Sequence, residues 1–218
     1  MDARGVIMDA NDKLREIRRD LRIHGTVLGS IVLFFWALEL VDALLFHGWM
    51  DNWGIWPRTS QGLKGILFAP FLHVGFGHLI ANTVPFLVLG WLVMLRRLSD
   101  FVTVSLVSLF VSGLGVWLIG PTHSVHLGAS GVIFGYFGFL LLRGYFERSF
   151  KSLVWSFLVL FFYGGMALGV LPQGQGISWQ AHLFGFIGGG LSAYMIANQR
   201  KKEPAVRILG PMDLPDGD

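Results

Sequence analysis

Apolar positions along this chain neither alternate nor form narrow helical stripes; they recur in long runs separated by short polar breaks. Six windows, residues 26–46, 76–95, 101–120, 129–146, 152–171 and 178–197, are long and apolar enough to cross a hydrocarbon layer of roughly 30 Å as helices of about 20 residues. The pattern predicts an all-α integral membrane protein, a bundle of six transmembrane helices. The first window follows a run of arginines, as a signal peptide would. Its 21-residue core exceeds a signal h-region and no A-x-A site follows, so it reads as a retained helix.

Composition agrees: 53% of residues are hydrophobic and 14% charged, which excludes an ordinary soluble globule. Cysteine is absent, which removes disulfides, thiolate metal sites and a cysteine nucleophile. Of the 17 Lys and Arg residues, all but Arg58 and Lys64 fall before the first window, after the second, between the fourth and fifth, or after the sixth. Those positions share one face, which the positive-inside rule makes cytoplasmic. The expected topology is therefore N-in/C-in. Residues 1–25 form a basic cytoplasmic segment, 26–198 the membrane domain and 199–218 a mobile cytoplasmic tail rich in proline and ending in acids. Leu14, Ile17 and Leu21 make an apolar stripe among arginines, consistent with a short helix lying on anionic lipid and equally with a solvated basic tail. No inverted repeat or second globular domain is visible.

Depth singles out four polar residues. Ser130 opens the fourth window, His182 lies early in the sixth, and His78 and Asn82 occupy the first two turns of the second. At 1.5 Å per residue all four sit within roughly 10 Å of the outer boundary. Polar side chains at such depth face a bundle interior or a watery cavity and mark function more often than structure. Gly131, Gly135 and Gly138 line one face of the fourth helix, and Gly185 and Gly189 follow His182 on one face of the sixth. Small faces of this kind let two backbones pack closely in lipid, which would bring Ser130 towards His182. Taken singly, a glycine stripe is a packing device and a membrane serine bonds a backbone carbonyl; matched depth argues for more.

Serine paired with histidine is the minimal activated nucleophile, and acyl transfer also needs donors for the developing oxyanion. His78 and Asn82, four apart on one helix face, can supply them. Asn82 can alternatively brace its helix beside Pro85, whose ring removes a backbone donor. His73 belongs more naturally to the preceding loop. With His123 and His126 it makes a loosely metal-like cluster, but no HExxH occurs, and these read as loop histidines.

The GxSG stretch Gly128-Ala129-Ser130-Gly131, "HVGFGHLIAN" with His73, His78 and Asn82, and "AHLFGFIGG" with His182, Gly185 and Gly189 together resemble the rhomboid intramembrane serine proteases over residues 26–198. The resemblance implies a Ser130–His182 dyad without a catalytic acid, cleaving transmembrane or membrane-anchored substrates near the outer face of the cell membrane. It also implies an oxyanion hole from the Ser130 amide, His78 and Asn82. Expected partners are transmembrane protein substrates and membrane lipids, with no nucleic acid, metal or cofactor. Family members often carry tyrosine four residues after the serine; Phe134 stands here and keeps the ring without the hydroxyl. The family's first-loop Trp-Arg pair is replaced by Lys64-Gly65, so loop anchoring is expected through Trp53, Trp56 and Arg58. Competing readings are a transporter, for which Glu39 and Asp42 in the first window are the best support, and a non-catalytic protein that binds transmembrane helices. Polar residues gathered at one depth, not along a path, argue against transport.

The basic asymmetry yields a direct test. Single cysteines, clean probes in a cysteine-free chain, should react with an impermeant reagent from outside at Thr122 or Gln175 and stay protected at Ser99 or Ser149. The reverse pattern of labelling in intact cells would invert the topology.

Overall fold

A computed structural model of the chain describes residues 3–172 and 176–202, with side chains for 10–172 and 176–201. Among the described residues seven α-helices follow one another: α1 (Ala3–Val41), α2 (Ser60–Phe68), α3 (Gly75–Met94), α4 (Leu98–Ile119), α5 (Ser130–Glu147), α6 (Phe150–Tyr163) and α7 (Trp179–Lys202). Among the described residues there is no β-strand, only an isolated antiparallel bridge between Ile55 and His126.

Among the described residues four helices are long and apolar enough to cross a membrane: α1 with its extension (Ala10–Phe46), α3, α4, and α6 with its 3-10 continuation (Phe150–Val170). The fourth and sixth expected spans are α5 and α7, which fall short of that measure. Both spend positions on glycine, α5 ends in Arg143 and Glu147, and α7 carries Gln180, His182 and Asn198. Enclosure explains α5. Every residue from Gly131 to Leu140 is buried, so its surroundings are other helices and its composition need not suit lipid.

The first helix also differs from expectation. Instead of a separate surface segment before residue 26, α1 runs unbroken from Ala3 to Val41. No proline interrupts residues 10–26, their arginines and leucines are good helix formers, and Arg15 pairs with Asp12 at 3.7 Å one turn away. Leu14, Ile17 and Leu21 remain exposed. Most of the expected mobile tail, residues 203–218, lies outside the described residues.

α5 is the axis of the bundle and α7 its most intimate neighbour. A Cβ placed on Gly185 would lie 2.0 Å from the Gly131 carbonyl oxygen, and one on Gly189 would lie 1.9 Å from that of Gly135. Gly138 is equally tight against the Phe186 carbonyl, at 2.4 Å. On the other side Ser112 and Ser108 of α4 press on Gly131 and Gly135, and the Ser112 hydroxyl donates to the Ala181 carbonyl at 2.9 Å. The backbones of α5 and α7 thus meet where a side chain would separate them, and α4 closes on them through small serines.

The long connection after α1 begins with a π-helical turn, Asp42–Phe46, which ends at His47 and Gly48 with φ of 52° and 85°. Asp42 holds the turn by accepting the Met50 amide at 3.0 Å. Thr59 then caps α2, its hydroxyl oxygen accepting the Gly62 amide at 3.0 Å. The connection is fastened to the end of α4 by Arg58, which donates to the Leu118 carbonyl at 3.0 Å, and by the Trp117 indole, which donates to Thr59 at 2.8 Å. Trp56 bonds within the loop, to the Asn52 carbonyl at 3.0 Å, and Trp53 packs edge-on against Phe68 at 5.3 Å. Of the three anchors expected, Arg58 is the one bonded to α4.

Candidate active site

The serine is delivered by a loop with little freedom. Gly128 has φ of 112°, where a side chain is strained, and a Cβ there would lie 2.6 Å from His78 Cε1. Its amide donates to the Ala69 carbonyl at 2.8 Å, pinning the loop. Ser130 is then the first residue of α5. Amides in a first helical turn have no partner within the helix, and that end carries the positive pole of the helix dipole. The Ser130 amide is therefore suited to meet negative charge.

His182 lies in the first turn of α7. Its Nδ1 is 2.9 Å from the Gly169 carbonyl oxygen. A carbonyl can only accept, so Nδ1 carries the proton and a neutral ring keeps its lone pair on Nε2. Phe134, one turn into α5 from Ser130, stacks on the imidazole with ring centres 4.0 Å apart and planes 6° from parallel. The ring is held flat from one side and at one edge. A Cβ on Gly169 would lie 2.7 Å from Phe134 Cζ and 3.3 Å from His182 Nδ1, so this carbonyl can come so close only because its residue lacks a side chain.

Ser130, His182, His78, Asn82 and Phe134 line one open cavity of about 890 Å³. Among the described residues no hydrogen bond joins Ser130 Oγ to His182; such contacts often tighten only when substrate is bound. The Val74 amide lies 3.4 Å from His78 Nδ1 and can only donate, which leaves the proton of a neutral ring on Nε2, the atom 2.9 Å from a Cβ position at Gly128. His78 is thus set as a donor beside the serine loop. Asn82 Nδ2 donates to the His78 carbonyl at 2.9 Å, the bracing contact considered above. An amide nitrogen has two protons, so a second remains for the cavity.

His73 is buried behind this layer, its ring 5.3 Å from His78 and 5.4 Å from Phe35. Burial, with the neighbouring His78, pushes it down to about 4, so it is neutral. His126 is not part of a metal cluster: its nitrogens bond Ser178 Oγ at 2.7 Å and Ser124 Oγ at 2.8 Å. Among the described residues no three His, Cys, Asp or Glu side chains gather so as to hold a metal ion. Three contributors were missed in the sequence. Gly169 acts through its backbone, which leaves no trace in residue type beyond the need for glycine. His126 and Ser178 do leave one, each standing four residues before a candidate, Ser130 and His182.

Against known proteins, the Rhomboid domain family pattern matches residues 60–199. Uncharacterized protein Rv1337 of Mycobacterium tuberculosis (strain ATCC 25618 / H37Rv) is 41% identical over 196 residues, covering 86% of this chain and 81% of that protein. Uncharacterized protein ML1171 of Mycobacterium leprae (strain TN) is 41% identical over 207 residues, covering 89% and 82%. A Bacillus subtilis (strain 168) protein named, provisionally, rhomboid protease YdcA is 29% identical over 187 residues, covering 80% and 92%.

The contact at Gly169 makes its own prediction. Gly169→Ala should slow the reaction of Ser130 with a serine-directed fluorophosphonate by about tenfold or more, the scale of loss when a reacting group is displaced by a fraction of an ångström. Gly165→Ala, where a Cβ meets nothing within 4 Å, should react at the parental rate. Equal rates in both variants would remove Gly169 from the site.

Proposed function

The chain belongs to the rhomboid family, and on that footing we propose that this multi-pass membrane protein is an intramembrane serine endopeptidase. It has six spans with both termini in the cytoplasm, sits in the cell membrane, and cuts transmembrane or membrane-anchored substrates near the outer face. The observation that carries the proposal is the Gly169 carbonyl on His182 Nδ1, which leaves a lone pair on Nε2 beside the cavity that Ser130 also lines.

Ser130 Oγ attacks the substrate carbonyl while His182 Nε2 takes its proton. The resulting oxyanion is met by the Ser130 amide at the α5 N-terminus, by His78 Nε2–H and by the second Asn82 amide proton, each such donor contributing about 10²–10³ in rate. His182 then passes its proton to the leaving amine, and water admitted by the cavity resolves the acyl-enzyme by the same steps reversed. Among the described residues the partner of His182 Nδ1 is no carboxylate. The Gly169 carbonyl takes that place as a neutral acceptor, fixing the tautomer and bearing part of the imidazolium charge, while Phe134 keeps the ring in plane.

Ser130→Ala and His182→Ala should each abolish cleavage of a reporter transmembrane substrate by folded protein. Their combination should be no worse than either alone, because residues that act as a unit are not additive. Cleavage retained by folded Ser130→Ala would refute the assignment.

A further inference from the structure

We propose that His126 is a positioning residue for this reaction: its imidazole ties the loop carrying Ser130 to the start of the helix carrying His182, and so sets how the two side chains face each other. The inference rests on the dyad reading above and adds to it a residue that touches neither substrate nor the reacting atoms.

Each proton in this network has one place to go. Ser124 Oγ is 2.7 Å from the Pro121 carbonyl, and its single proton goes there. Its contact with His126 Nε2 at 2.8 Å must then be one in which the ring donates. A neutral imidazole protonated on Nε2 has a lone pair on Nδ1, so Ser178, 2.7 Å away, donates its hydroxyl proton to it. Ser178 Oγ is left to accept the Ala181 amide at 3.4 Å, the role of an N-cap serine. The chain of bonds runs in one direction, from the Ala181 amide through Ser178, His126 and Ser124 to the Pro121 carbonyl, with every proton used once. Burial lowers the His126 pKa, which favours the neutral ring that this direction requires.

Both ends of the chain are next to the chemistry. His126 precedes Ser130 by one helical turn of sequence, and Ser178 precedes His182 by the same interval. The His126 backbone is also fixed, exchanging bonds with Ile55 at 2.8 and 3.1 Å. Loop and helix are therefore joined at the mouth of the cavity, above the place where glycine faces join α5 and α7 below. One clamp without the other would leave α7 free to swing about the glycine contact and carry His182 with it.

The full-length protein with a reporter transmembrane substrate supplies the test, as kcat and KM per folded molecule. His126→Ala should lower kcat by about tenfold with KM unchanged, and Ser178→Ala should do the same. The double variant should fall no further than His126→Ala, since both cut one chain. His126→Gln, whose amide offers a donor nitrogen and an acceptor oxygen, should recover most of the loss. A merely structural role would lower the melting temperature and leave kcat per folded molecule intact; that result, multiplicative losses in the double variant, or a glutamine variant as slow as alanine would overturn the proposal. Failure of the parent itself to cleave would instead sink the dyad reading and this inference with it.

Discussion

The close approach of two backbones holds this molecule together. In lipid, helices gain little by hiding apolar surface from one another, so association depends on close van der Waals packing and on polar contacts between them. Gly131 and Gly135 on α5 meet Gly185 and Gly189 on α7 with no room for even a methyl group, and the serines of α4 fill the groove on the other side. The contact is backbone against backbone, which no rotamer can relieve. It sets the height of α7 against α5 within a turn of Ser130 and His182, and leaves the final facing of the two side chains to the loops at the cavity end.

Ionic contacts secure the opposite end. Glu147, at the end of α5, accepts from Arg96 after α3, from Arg143 one turn back at 3.3 Å, from Arg200 of α7 at 2.7 Å and from Ser152 of α6 at 2.5 Å, and Arg200 reaches on to Asp100 of α4 at 2.5 Å. Removing one partner from such a buried set leaves an uncompensated charge and is strongly destabilising. Three of the arginines behind the basic asymmetry of the sequence thus also bind five helices together. With that end tied and the middle locked by glycine, the cavity end is where loops, not helices, determine geometry.

Legibility in the sequence followed the kind of interaction. The glycine spacing and the polar residues of matched depth were readable because each is a pattern of residue types on a helix face. Arg58, with Trp53 and Trp56, was readable as an anchor from the missing first-loop Trp-Arg pair of the family, and of the three it is the one that reaches α4. The Gly169 carbonyl was not, because a backbone acceptor has no residue signature. His126 was visible as a histidine but not as a link, since its partner Ser178 is 52 positions away. The windows at 129–146 and 178–197 coincide with α5 and α7, which are less apolar than the four helices fit to cross a membrane, because helices that face other helices need small and polar residues more than lipophilic ones. The unbroken α1 shows the converse, that a basic segment with no stop signal simply continues the helix after it.

The candidate residues already line one cavity before substrate arrives. A structure of the covalent adduct of Ser130 with a fluorophosphonate tests that most directly. It should show the phosphonyl oxygen within hydrogen-bond distance of the Ser130 amide, His78 Nε2 and Asn82 Nδ2, His182 still bonded to the Gly169 carbonyl, and the α5–α7 glycine contact unmoved. An adduct oxygen turned away from His78 and Asn82, or a His182 ring that has left Gly169 and Phe134, would contradict it.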